Sequence, residues 1–221
     1  MGTKLFSAFQ ADLTLNLGQR SDLSAYVDDW INTAYMTLTT GNRVWGLKKD
    51  FYFPELETST TASTVDGTAY VSVPTDALIV RTVWDSTSDR KLDRIELVTY
   101  SEYTGRADTT AEDAPTKYMR RGGYLYLYPT PDAVYSLTIY YRKRPTLLSG
   151  ASDVTAIGAE WDEPLVKLAT AQSWLRLQNI EKYKLWREEF LSDVSALIGI
   201  YDQEERDEKG FIRPDPAYVI K

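Results

Sequence analysis

The chain has 221 residues, 43% of them hydrophobic and 26% charged, a globular composition long enough to bury a real core. It contains no histidine and no cysteine, which rules out the usual zinc sites, thiol nucleophiles, disulfides and Ser-His-Asp machinery. A net charge of −7 argues against a protein whose main task is to grip nucleic acid, since that grip comes from basic residues on phosphate.

The first region, through about Gly41, has helical periodicity. Leu5, Phe6, Phe9, Leu13 and Leu17 recur at three- and four-residue steps, and Gly18 stops the pattern where a C-terminal glycine would. Ser21 or Asp22 is the expected N-cap of a second helix. Its stripe runs Leu23, Tyr26, Val27, Trp30, Ile31, Ala34, Tyr35 and Leu38. The start of the chain soon reaches Gln10 and Asp12, so no signal-peptide apolar run is expected. No stretch approaches the roughly 18 apolar residues of a membrane helix, and no membrane association is expected.

Residues 50–150 change to period two and fill with β-branched residues and tyrosine. Phe51-Tyr52-Phe53 reads as the opening of a strand, and Asp66-Gly67 as a turn before Thr68–Val73. Strands are expected at Ala77–Trp84, Lys91–Leu97, Lys117–Arg121, Tyr124–Tyr128 and Val134–Arg142, with a short helical turn at Tyr100–Tyr103. Gly122-Gly123 makes the hairpin between the middle pair. The polar run Thr58–Thr64 reads as an exposed loop or hairpin arm. Such spacing indicates an antiparallel sandwich or small barrel.

The last region is helical again. Pro164 sits in the first turn of a helix opened by Trp161-Asp162-Glu163, with the stripe Leu165, Leu168, Ala169, Gln172 and Leu175. Asn179 breaks it. A longer helix from Ile180 to about Arg206 carries Tyr183, Trp186, Phe190, Val194, Leu197, Ile198 and Tyr201. Beyond Gly210, Pro214 and Pro216 forbid a continuous helix. The expected organisation is α+β: a helical domain from 1–49 and 151–209, a β lobe at 50–150, and an extended tail at 210–221. The two helical pairs would cover each other as a four-helix unit, with the β lobe inserted between them.

No phosphate loop, dinucleotide fingerprint or calcium loop is present. The adjacent pairs Asp28-Asp29, Asp162-Glu163 and Glu188-Glu189 point about 100° apart on a helix and read as solvated charge. No catalytic residue, cofactor or metal is therefore expected. Two features point instead to binding. Tyr124, Tyr126 and Tyr128 alternate onto one sheet face opposite Leu125 and Leu127, and could pack against helices or a neighbouring subunit, or stack sugars or bases. Arg142 and Arg144 could rim the same interface. The tail is unusually apolar for a chain end, and Phe211, Ile212, Arg213, Pro214, Tyr218, Val219 and Ile220 are candidates for docking into a partner. Acidity thickens along the chain, from net +1 over 1–49 to −3 over 50–150 and −5 over 151–221.

Several segments together resemble head–tail adaptors of tailed bacteriophages, the tail tubular protein A-like group. They are Leu17-Gly-Gln-Arg-Ser-Asp-Leu23, Tyr26-Val-Asp-Asp-Trp-Ile-Asn-Thr-Ala-Tyr35, Tyr124-Leu-Tyr-Leu-Tyr-Pro-Thr-Pro131, Leu137–Pro145 and Trp161–Leu165. The resemblance implies a non-enzymatic virion protein made in the host cytoplasm. It implies a homo-oligomeric ring at the neck, commonly twelve-fold, between the portal and tail, stopper or nozzle proteins. It further implies that the C-terminal segment reaches the portal and that DNA passes through the lumen without sequence-specific binding. A tail-associated carbohydrate-binding module using the three tyrosines is the alternative.

Overall fold

The computed structural model of the protein describes residues 2–40, 53–105 and 112–208, the last ten by their backbone alone. In chain order its elements are α1 (Phe6–Asn16), α2 (Val27–Thr39), β1 (Glu57–Ser63), β2 (Tyr70–Ser72), β3 (Ala77–Asp85), β4 (Arg90–Arg94), α3 (Leu97–Thr104), β5 (Lys117–Arg121), β6 (Tyr124–Tyr128), β7 (Ser136–Lys143), α4 (Asp162–Arg176) and α5 (Ile180–Glu208). The fold is mixed α+β. The described residues fall into two compact units, one within Met1–Leu38 and Leu147–Lys221, the other within Thr39–Thr146.

In the first unit α1 and α5 both pack on α4. The sequence suggests one apolar stripe for α4, yet this helix is buried on most of its surface. Leu165, Leu168, Ala169, Ala171 and Trp174 are buried together with Thr170 and Ser173, while Leu175, expected on the stripe, is exposed. Small side chains let neighbours approach from several sides. The buried hydroxyls satisfy themselves on their own helix, Thr170 donating to the Val166 carbonyl (2.8 Å) and Ser173 to that of Ala169 (2.7 Å). From α5 come the fully buried Phe190 and Val194. Lys167 of α4 reaches Asp193 at 2.7 Å and Glu189 at 3.7 Å, tying the two helices together.

The chain start is held by one carboxylate. Asp162, buried at the beginning of α4, accepts backbone N–H bonds from Thr3 and Lys4 (both 3.0 Å) and a hydroxyl bond from Thr155 (3.2 Å). Gly2 donates its N–H to the Thr155 carbonyl at 3.1 Å. A Cβ at Gly2 would lie 2.1 Å from Thr155 Oγ1, so no larger residue fits there without displacement. The helix α2 is tied in through its polar side chains. Asn32 bonds the Leu148 backbone in both directions, and the Tyr35 hydroxyl accepts from the Ala156 N–H at 2.7 Å.

The end of α1 follows the glycine expectation closely. Gly18 has φ +79°, its N–H returns to the Leu15 carbonyl and that of Gln19 to Thr14, the paired bonds of a Schellman closure. The expected N-cap of the second helix is corrected. A 3-10 turn at Ser21–Tyr26 precedes α2, with Arg20 in the capping position and no side-chain cap. The Asp22 carboxylate is drawn away by Arg20, 2.5 Å from its guanidinium.

The second unit is a curled seven-stranded sheet ordered β1-β7-β3-β4-β5-β6-β2, with its edge strands β1 and β2 approaching each other. Its concave side holds Val71, Val80, Val83, Leu92, Tyr118, Leu125, Leu127, Leu137, Ile139 and Tyr141. Register shifts in β3 let Ala77, Val80, Val83 and Asp85 all turn inward, a three-residue spacing that plain alternation forbids. The expectation of a wholly antiparallel sheet is corrected at one step: β4 and β5 run parallel. Parallel neighbours need a crossover connection, and α3 supplies it where a short turn was expected. Phe53 lies ahead of a 3-10 turn at Pro54–Leu56 instead of in a strand; Phe51, Tyr52 and Gly41 lie outside the described residues. Thr58–Ser63 is part of edge strand β1, paired along its length with β7.

Asp162→Ala is expected to lower stability by about 1–3 kcal/mol, because the buried Thr155 hydroxyl and the backbone N–H groups of Thr3 and Lys4 lose a charged acceptor; Asp162→Asn, which keeps one acceptor, loses less. Denaturant midpoints check both. A second expectation concerns Tyr135, whose hydroxyl donates to Asp132 at 2.6 Å. That bond, with burial and nearby carboxylates, pushes the phenol up to about 12. Its stabilising contribution is complete below the ordinary tyrosine value of about 10 and fades as pH rises through the elevated one. Tyrosinate absorbance at high pH should lose a late-ionising group in Tyr135→Phe.

Candidate functional site

The alternation of β6 places Leu125 and Leu127 in the core and turns Tyr124, Tyr126 and Tyr128 outward. Antiparallel pairing sets Arg121 opposite Tyr124, Met119 opposite Tyr126 and Lys117 opposite Tyr128, so those side chains share the outer face. On the other flank β2 adds Tyr70, paired with Tyr126.

The helix α3 lies against this face. Tyr103 stacks on Tyr128 with centroids 4.9 Å apart, and Tyr100 meets Tyr126 at 6.0 Å. Tyr70 packs edge-on against Tyr124 at 5.1 Å. The Lys117 ammonium sits 5.3 Å from the Tyr103 ring centre. Burial, then the neighbouring Tyr126, raise the Tyr100 phenol. Six tyrosines from three elements thus form one aromatic surface, with Tyr70 and Tyr124 its most open members. The rings engage one another edge-on or under α3, so the row is not the flat open platform that sugar stacking favours.

Beside the tyrosines is a cleft of about 450 Å³ lined by Arg94, Ile95, Glu96, Leu97, Met119, Arg120 and Arg121. Arg120 is fixed there, donating to the Ala77 (3.0 Å) and Leu78 (2.9 Å) carbonyls. Arg94 and Arg121 are exposed. Leu97, which lines the cleft, and its neighbour Val98 in the first turn of α3 are 55% and 65% exposed. Tyrosine, methionine and arginine beside open aliphatic side chains are what protein interfaces concentrate at their centres.

The two arginines expected to rim this surface part company. Arg142 is 4% exposed; its guanidinium donates to the Thr39 carbonyl and lies 5.7 Å from the Phe53 ring centre. Both partners are in its own unit, so in this conformation it works inside the fold. Arg144 is exposed. Phe211, Ile212, Arg213, Pro214, Tyr218, Val219 and Ile220 lie outside the described residues. Among the described residues no group of three or more carboxylates is placed to hold a metal, and no helix is long and apolar enough to cross a membrane. The tyrosines of α3 and β2 escaped the sequence reading. Tyr100 and Tyr103 share a helix face at three-residue spacing, and that was the available signal.

The chain matches the family described as SU10 adaptor protein over residues 4–215, and it belongs to that family. It is accordingly a structural adaptor of bacteriophage and a component of the virion. A comparison with curated proteins gives no match.

Adjacent positions on β6 should separate core from surface. Leu125→Ala is expected to cost about 3 kcal/mol through a buried cavity, whereas Tyr124→Ala should cost about 1 kcal/mol, the worth of its ring contacts. Equilibrium unfolding of the two variants checks the contrast.

Proposed function

We propose that the protein is the head–tail adaptor at the neck of a tailed phage, forming a closed ring between the portal and the tail, stopper or nozzle proteins. The observation that carries this reading is the adaptor family match across nearly the whole chain, through both units. The resemblance to tail tubular protein A-like adaptors supplies the finer assignments: twelve-fold symmetry, the helical domain toward the portal and the β lobe toward the tail. A ring subunit needs large apolar and tyrosine-rich flanks and no catalytic pocket. Closed cyclic symmetry requires two different, complementary surfaces on each copy, and the tyrosine face with Arg144 would supply one of them.

The tail from Gly210 to Lys221 docks into the portal in this reading. Its apolar residues Phe211, Ile212, Tyr218, Val219 and Ile220 would fill portal pockets beside Arg213, while Pro214 and Pro216 stiffen the segment and lower the cost of ordering it. DNA passes through the lumen without sequence-specific binding. The net charge of −7 supports a sliding surface, since like charges prevent sticking.

Deleting residues 210–221 is expected to leave the circular dichroism spectrum and unfolding midpoint intact while abolishing co-sedimentation with the portal. Retained co-sedimentation would remove the tail from the docking mechanism.

A further inference from the structure

The arginine cleft and the end of α5 are opposite in charge and lie in different units. Three arginines and a single carboxylate, Glu96, line the cleft. Arg120 is committed to backbone carbonyls. The Arg94 and Arg121 side chains make no hydrogen bond or ion pair among the described residues, which leaves both guanidinium groups open to an incoming acid. This is a basic spot on an acidic chain. The sequence is most acidic over residues 202–208 at the end of α5, where Asp202, Glu204, Glu205, Asp207 and Glu208 accompany Arg206, with Lys209 next.

We propose that the acidic C-terminal end of α5 of one copy docks into the Arg94–Arg121 cleft of a second copy, beside Leu97 and its neighbour Val98. This rests on the ring reading above and deepens it by naming the two halves of the contact. Cleft and helix end are different surfaces of the chain, so the contact is heterologous: each copy offers one half to each neighbour, the geometry that closes rings and not two-fold dimers. Carboxylates on guanidinium groups give charge-assisted and bidentate bonds, and these exposed aliphatic side chains become buried. Two open arginines beside a glutamate are too few to track a phosphate backbone, which favours a protein occupant over DNA.

The absence of cysteine permits a direct test. One preparation carries Glu96→Cys in the cleft, and another carries Glu205→Cys in the helix end. Mixed and treated with a short bismaleimide, they should form a heterodimer well above a control in which exposed Ser152→Cys replaces Glu205→Cys. Adding Arg94→Glu and Arg121→Glu to the first partner should reduce the product about tenfold or more. Glu204→Lys, Asp207→Lys and Glu208→Lys in the second should do the same, and combining both reversals should restore it. A yield no better than the control, or no restoration by the combined reversals, overturns the proposal. So does suppression of the product by duplex DNA with no effect of reversing the α5 charges, which would give the cleft to phosphate. Portal co-sedimentation that survives while the crosslink fails would sink this contact alone and leave the adaptor reading standing.

Discussion

Side chains on a strand alternate between faces, and on β6 that constraint admits one solution. Leu125 and Leu127 are needed inside the curled sheet, where both are buried. A slip of one residue would expose both leucines and bury three phenols. With the register so pinned, Tyr124, Tyr126 and Tyr128 are committed to the outside, and α3, Tyr70 and Lys117 arrange themselves around them. The adaptor's candidate surface is thus a consequence of how its second unit builds a core. Hydrophobic burial decides the geometry, and the aromatic contacts, each worth about 1 kcal/mol, follow it.

Much of this was legible from local pattern. Gly18 closes α1, Gly122-Gly123 turns β5 into β6, and the tyrosine row faces as its alternation requires. These features depend on neighbours in sequence, where backbone conformation and period carry the information. What escaped depends on partners far along the chain. The all-round burial of α4 arises from α1 and α5, over a hundred positions away in the first case. Arg142 looked like a surface charge beside Lys143 and Arg144, yet Phe53 and the Thr39 carbonyl draw it inward. The parallel β4–β5 step could not be read from strands alone, since only the crossover through α3 reveals it.

The composition acquires a physical meaning in the context of the adaptor family. A protein selected for contact has no use for a titrating imidazole or a reactive thiol. It needs aromatic and arginine side chains at the surface, with a core beneath them rigid enough to hold their positions. The ion pair of Lys167 with Asp193 joins α4 to α5 at half-buried positions, where it is screened less than an exposed pair.

The grip of Asp162 on Thr3 and Lys4 has a bearing on biosynthesis. The first unit is assembled from two separated stretches of the chain, whereas the second is one uninterrupted stretch. A nascent chain leaving the ribosome can therefore complete its β unit while α1 and α2 still await α4. Residues of α1 thus wait for partners made more than a hundred positions later.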